Sequence, residues 1–250
     1  MKLIINKTKE ELGKASAEHA AKLVNEAIAK QGYARILLST GASQFPFFVE
    51  FVKQDIDWSK VEMFHLDEYV GISEEHPASF KRYLLDRFVN VVKPGKAHLI
   101  NGQKAPEETI AELTALLNEK PVDVGLIGIG ENAHIAFNDP PADFNDQRAY
   151  KVVTLDERCL QQQVGEGWFK NVEETYKQAI SMTCAQIMKC KSIISVVPYK
   201  VKAEAIYNTL TRDLTPEVPA TLMKQHADCT IYCDADSASL LTDEIAKQYI

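Results

Sequence analysis

Short apolar runs alternate with segments of helical spacing along the whole chain, and few architectures accept that pattern. The most continuous run is 122–129, which leads into Gly130, and others cover 34–38, 61–66, 192–197 and 230–233. Between them, apolar residues recur three or four apart over 8–31, 45–54, 77–90, 106–119, 178–189 and 200–210. In the first of these helical segments Thr8 is placed as an N-cap with Glu11 three residues on, and Gln31-Gly32 stops it. Buried strands joined by helices imply a mostly parallel sheet covered on both faces. The expected fold is therefore α/β: a single doubly wound, Rossmann-like sheet with helices on both faces. No repeat, low-complexity stretch or Pro/Gly/Ser-rich linker divides the 250 residues, so positions 1–250 read as one domain.

Composition narrows the function classes. Hydrophobic residues make up 46% and charged residues 25%, which excludes a disordered or fibrous chain. No apolar stretch reaches the roughly 18 residues of a membrane span, and the start turns polar too early for a signal-peptide core. With 28 Lys and Arg against 35 Asp and Glu, the net charge is −7. An acidic chain without a basic run argues against general nucleic-acid binding, although a local cradle can still take a small anion. Five cysteines, at 159, 184, 190, 229 and 233, point to a reducing, cytoplasmic setting. Cys229 and Cys233, with His226 nearby, have no second pair to complete a metal site, so they read as core thiols on one face of a strand. The expectation is no metal site at these cysteines, no nucleic-acid or membrane partner, room for a small anionic ligand, and homo-oligomer formation left open.

In doubly wound sheets the ligand sits at the carboxyl ends of the strands. After 34–38 come Ser39, Thr40, Gly41, Ala42 and Ser43, which read equally as an ordinary turn or as a phosphate cradle of backbone N–H groups and hydroxyls. The loop is neither a Walker motif nor GxGxxG. After 61–66 come Asp67 and Glu68. Adjacent residues at a strand end alternate faces, so one of the two can enter a given pocket, as a solvated acid or as a general base. The segment after 122–129 is the richest. Gly130 permits a tight turn, and His134 lies close to both Asn132 and Asp139, which fits either a structural histidine or an acid-paired proton shuttle. Lys200 and Lys202 begin the 200–210 helix. They read as a solvated pair or as a phosphate contact.

Three of these segments, taken in order, resemble the glucosamine-6-phosphate deaminase/isomerase family, which is related to the 6-phosphogluconolactonases. They are Leu38-Ser39-Thr40-Gly41-Ala42-Ser43, the block Phe64 to Gly71 with His76 to Phe80, and the block Gly128 to Pro140. The resemblance implies conversion of an amino-hexose 6-phosphate to a ketose 6-phosphate and ammonia, without metal or organic cofactor. It places the C2–C1 proton-transfer base at Asp67, the ring-opening residue at His134 and its acidic partner at Asp139. Phosphate contacts fall on Ser39, Thr40, Gly41, Ala42, Ser43, Gly130 and Lys202.

The chain departs from the family pattern at four places. Asn132 stands where aspartate is usual, Ala133 where glycine is usual, Asp139 where glutamate is usual, and Gln163 where an arginine usually grips phosphate. If Asn132 limits ring opening, an aspartate there should raise turnover; otherwise the site is built around the amide. Two rival functions follow: a sugar-phosphate lactone hydrolase on the same scaffold, and a non-catalytic sugar-phosphate sensor. The Leu66-Asp67-Glu68-Tyr69 block favours the isomerase, since a lactonase has no C2 proton to move.

Overall fold

The computed structural model describes residues 1–249. The chain begins with β1 (Lys2–Asn6), the long helix α1 (Lys9–Gln31), β2 (Ala34–Leu38), α2 (Phe45–Phe51) and β3 (Val61–His65). Strand β4 (Asp67–Tyr69) follows almost at once. Helix α3 (Phe80–Leu84) runs through a π turn at Leu85–Val89 into α4 (Asn90–Val92), ahead of β5 (Lys96–His98), α5 (Pro106–Glu119) and β6 (Val124–Ile127). Then come β7 (Tyr150–Thr154), α6 (Glu157–Gly165), β8 (Gln178–Met182), α7 (Cys184–Ile187) and β9 (Ser192–Val197). Helix α8 (Ala203–Thr211), β10 (Cys229–Asp234) and α9 (Asp243–Ala246) close the described chain.

Seven strands form the central sheet in the order β1-β10-β9-β6-β2-β3-β5, and every neighbouring pair is parallel. From β2 the chain moves outward to β3 and β5 on one side and to β6, β9 and β10 on the other. The strand order therefore reverses between β2 and β6, where parallel α/β sheets open a crevice. Apolar residues pack on both faces. One face carries Leu12, Phe47, Phe51 and Phe88 from α1, α2 and the π turn; the other carries Leu113, Ile187, Ile206 and Met223. Local chemistry sets the helix limits. The Thr8 hydroxyl accepts the Glu11 N–H at 3.2 Å, and Gly32 ends α1 in the left-handed region at φ +83°.

Several elements differ from the sequence pattern. The segment 178–189 is not one helix. It is β8, paired antiparallel with β4 and β7, followed by the short α7. Thr183 divides them, its hydroxyl accepting the Gln186 N–H as an N-cap. A strand and a helix laid end to end imitate a 3–4 spacing over twelve residues. The helix expected from Pro77 starts at Phe80 instead, because Ser79 supplies the cap. Strand β1 is an edge strand whose Ile4 and Ile5 stay over a third exposed, and β5 is only three residues long, so neither leaves a strong apolar signature. The three-stranded sheet β4-β8-β7 is an addition to the expected architecture, tied to the carboxyl end of β3 by the Met182 N–H on the Leu66 carbonyl at 3.0 Å and the Tyr150 hydroxyl on the His65 carbonyl at 2.6 Å. Cys229 and Cys233 lie in the core of β10, and the His226 ring is engaged by the Cys190 carbonyl at 2.7 Å and the Asp228 N–H at 3.1 Å.

Candidate active site

The carboxyl ends of β9, β6, β2 and β3 surround a cleft. Its lining includes Ser39, Thr40, Gly41 and Ser43 after β2, Asp67 after β3, Gly130 and His134 after β6, and Lys202 after β9. Asp67 and His134, which the sequence separates by 67 positions, face the same cavity.

Asp67 is buried, and burial first and then the neighbouring Glu68 carboxylate push its pKa up to about 8. The two acids go to opposite sides, as alternation at a strand end requires. Glu68 turns away from the cleft to the start of α3, accepting from the Tyr69, Phe80 and Lys81 N–H groups at 3.0, 3.2 and 2.7 Å and from the Ser79 hydroxyl at 2.9 Å. It ties β4 to α3 and so fixes the backbone on which Asp67 rides. His65 just before is fully buried, and burial drops its pKa to about 3, so its ring is neutral.

His134 is set by a tight turn. The Gly130 N–H donates to the His134 carbonyl at 2.9 Å, and the His134 N–H donates to Asn132 Oδ1 at 3.1 Å. Its Nδ1 lies 2.9 Å from Asp139 Oδ1. That contact leaves Nε2 as the ring nitrogen available to a ligand. Burial alone would raise the Asp139 carboxyl, but the hydrogen bond and charge of His134, the Asn132 amide and the Asp156 N–H outweigh it and hold the pKa below its usual value. Asn132 and Asp139 do not line the cleft; both stand behind His134 and act through it. Ala42 is also outside the lining, leaving four of the five loop residues at the surface of the cleft. Ala133 holds φ +64°, a conformation that costs an alanine more than a glycine and accounts for the usual glycine at that place in the resemblance.

Gly130 is required for a second reason. A Cβ there would lie 2.3 to 2.6 Å from three His134 ring atoms. Gly130→Ala must therefore displace the imidazole from Asp139. The expected result is a loss of turnover of roughly a hundredfold, since about 1 Å of misplacement can cost that much. The thermal unfolding midpoint should fall as well, since Asp139 loses its buried partner. A variant with normal kcat would show that the ring position does not matter.

The loop after β2 is braced from both sides. Gln44 Nε2 donates to the Val196 carbonyl at 3.0 Å, and the Tyr83 hydroxyl donates to the Gly41 carbonyl at 3.1 Å. Gly41 takes φ +102°, open to glycine but strained for other residues. Of the two lysines, Lys200 is exposed, whereas Lys202 is buried. Burial lowers the pKa of the Lys202 amine, opposed by the Glu166 and Glu131 carboxylates. Tyr199, at φ +81°, starts the turn that presents it, and the Asp234 carboxylate accepts the Tyr199 N–H at 3.0 and 3.2 Å.

Sequence reasoning missed part of the lining. Phe80 and Phe137, stacked with centroids 5.8 Å apart, form an apolar wall. Gln162 and Glu166 reach the cleft from α6 and its C-cap, beside Gln163, the position that the resemblance gives to a phosphate-gripping arginine. The spacing of Gln162, Gln163 and Glu166, one helical turn apart, was the available signal. One trio among the described residues could approach a cation: His134, Asp139 and Cys159, with ligand atoms within 4.8 Å of one another. Its fit is poor, because burial pushes the Cys159 thiol up and keeps it protonated, and the histidine and acid already engage each other.

Comparison with known proteins adds independent findings. The family model for glucosamine-6-phosphate isomerases/6-phosphogluconolactonase matches residues 7–232. A glucosamine-6-phosphate deaminase of Thermoanaerobacter pseudethanolicus is 35% identical, over 99% of this chain and 98% of its own. One of Streptococcus sanguinis is 36% identical, over 96% of this chain and 99% of its own. A solved structure of a monomeric glucosamine-6-phosphate deaminase superposes with a TM-score of 0.89 at 28% identity, covering 96% of this chain and 100% of that one. A 6-phosphogluconolactonase of Shewanella baltica gives 0.77 at 18% identity, over 94% and 98%, a likeness of fold alone.

Proposed function

We infer the chemistry from one premise: this chain belongs to the family of glucosamine-6-phosphate isomerases and 6-phosphogluconolactonases. It is an enzyme of amino-sugar metabolism that converts glucosamine 6-phosphate to fructose 6-phosphate and ammonia. The observation that carries the residue assignment is the shared cleft: a buried carboxyl and an acid-paired imidazole face one cavity, with a hydroxyl-rich loop and one lysine beside them.

The steps follow from the chemistry of the sugar. The closed ring opens when the anomeric hydroxyl gives up a proton and the ring oxygen gains one. His134 performs this exchange through Nε2, and Asp139 stabilises the imidazolium that forms in between. The open aldehyde makes the C2–H acidic. Asp67 takes that proton as the aldehyde oxygen gains one and an enolamine forms; Asp67 then returns its proton to C1, the amine nitrogen having given up the one that the oxygen gained, which leaves a C1 hydroxyl and a C2 imine. Water adds at C2 and ammonia leaves, giving the ketose. The phosphate, held by the loop at 39–43 and Lys202, supplies remote binding energy that keeps the head of the sugar against Asp67.

The base works only when ionised, and burial holds Asp67 at about 8. The sign is therefore fixed. The kcat/KM for ammonia release should climb as pH rises toward about 8 and level off above it, because this ratio reports the free enzyme. A flat profile between pH 6 and 9 would show that burial does not hold the Asp67 carboxyl near 8. The direct test is ammonia release from the 6-phosphates of glucosamine, galactosamine and mannosamine, with release expected from the first. Acid release from 6-phosphogluconolactone, or tight hexosamine phosphate binding without ammonia, would instead favour the lactonase or the sensor. Among the described residues no helix is long and apolar enough to cross a membrane. All five cysteines are free and buried, which supports placing the enzyme in the reducing cytoplasm.

A further inference from the structure

The charges around the tail end of the cleft do not match a phosphate. Among the described residues lining it, Lys202 is the one lysine, and no arginine is present. Gln163 is neutral, and its buried Oε1 has no hydrogen-bond partner. Glu166 adds a carboxylate on the same side. A Cβ placed on Gly41 would lie 3.8 Å from Glu166 Oε2, so this oxygen stands against the very loop that would hold an anion. The carboxylate is not a swinging surface group. Its Oε1 accepts the Gln162 side-chain amide at 2.7 Å, and its Oε2 accepts the Trp168 indole N–H at 2.9 Å. It is also the largest favourable charge acting on the buried Lys202 amine. The one cation of the tail seat is thus already offset before any ligand enters.

We propose that Glu166 is a specificity-determining residue that sets how much negative charge the tail seat accepts, by opposing Lys202. Resting on the deaminase reading, this places the affinity for the phosphosugar below what the loop and Lys202 alone would give. A fixed carboxylate a few ångströms from a dianion in a partly buried cleft is worth roughly ten- to a hundredfold in affinity.

The test compares wild type with Glu166→Gln and Glu166→Asp. Steady-state kinetics on glucosamine 6-phosphate are paired with calorimetric titration of inorganic phosphate. Glu166→Gln should lower KM for the phosphosugar and Kd for inorganic phosphate together, by roughly tenfold or more, with the change falling on KM rather than kcat. Glu166→Asp, which keeps the charge, should not reproduce the gain. If Glu166→Gln leaves both constants unchanged or raises them, Glu166 is a brace of the loop after α6 or a direct sugar contact, and the proposal is overturned. The titration separates the two levels of inference. Absence of ammonia release sinks the deaminase reading, yet phosphate affinity still reports the charge of the seat.

Discussion

Asp67→Asn should abolish C2 proton exchange and make the protein more stable. Loss of a positioned general base costs roughly 10² to 10⁴ in rate. An amide at this place keeps the shape of the side chain but cannot take the proton, so glucosamine 6-phosphate should still bind while solvent exchange at C2 stops. The stability effect comes from linkage. In the unfolded chain the carboxyl loses its proton near pH 4, whereas in the folded protein burial holds the pKa up to about 8. Between these values the folded state carries the extra proton, so stability falls as pH rises through the window and the loss is complete above about 8. The asparagine has no charge to bury. Its unfolding midpoint should therefore exceed that of wild type at pH 8 to 9, by free energy on the order of a few kcal/mol, and converge with it near pH 4. Exchange at the wild-type rate would remove Asp67 from the chemistry. Equal stability at both ends of the pH range would show that its carboxyl is not strained by burial.

That trade is visible in how the site is built. The base sits where its charge is least welcome, and its neighbour Glu68 takes up three donors at the start of α3 and one from β4. A helix origin thereby holds still the backbone that carries the reactive acid. The alternation of side chains at the end of β3 was legible before any coordinates, because period two follows from strand geometry alone. So were the loop at 39–43, the turn at Gly130 and the nearness of His134 and Asp139, all short-range features of sequence. The strand order was not legible, because pairing β6 beside β2 is a choice among topologies that no local pattern encodes. Nor was the contribution of α6. Its helical spacing was hidden by a run of polar residues, and its inward face is Gln162, Gln163 and Glu166 rather than an apolar stripe. The antiparallel sheet was hidden for a related reason. Thr183 breaks 178–189 by capping α7, and the period-2 strand before it merges with the helix after it.

Asn132→Asp should lower turnover, against the simple expectation that an aspartate beside the catalytic histidine would help. The Asn132 amide donates to Asp139 Oδ1 at 3.1 Å and, more weakly, toward Asp156 Oδ2 at 3.4 Å, while its carbonyl accepts the His134 N–H. Asp156 in turn caps α6, accepting the Cys159 N–H at 2.7 Å, and its own N–H donates to Asp139 Oδ2 at 3.3 Å. The amide is therefore a neutral bridge between two acids. An aspartate in its place would still accept from His134 but would remove both donated bonds and set a third carboxylate against the other two. Repulsion among the three acids and the loss of the donated bonds pull Asp139 from its 2.9 Å contact with His134 Nδ1 and loosen the start of α6. A drop of roughly ten- to a hundredfold in kcat is expected, with a lower unfolding midpoint, given about 1 to 3 kcal/mol for a buried polar group left without its partner. The compensating change is Asp156→Asn, since an asparagine can still cap α6 and can donate to the new acid. The double variant Asn132→Asp with Asp156→Asn should recover much of both losses, a coupling that a purely local effect at 132 would not produce. If the single variant instead turns over the closed-ring sugar faster than wild type, the amide is a handicap rather than a bridge. The His134–Asp139 pair would then have to be understood without Asp156.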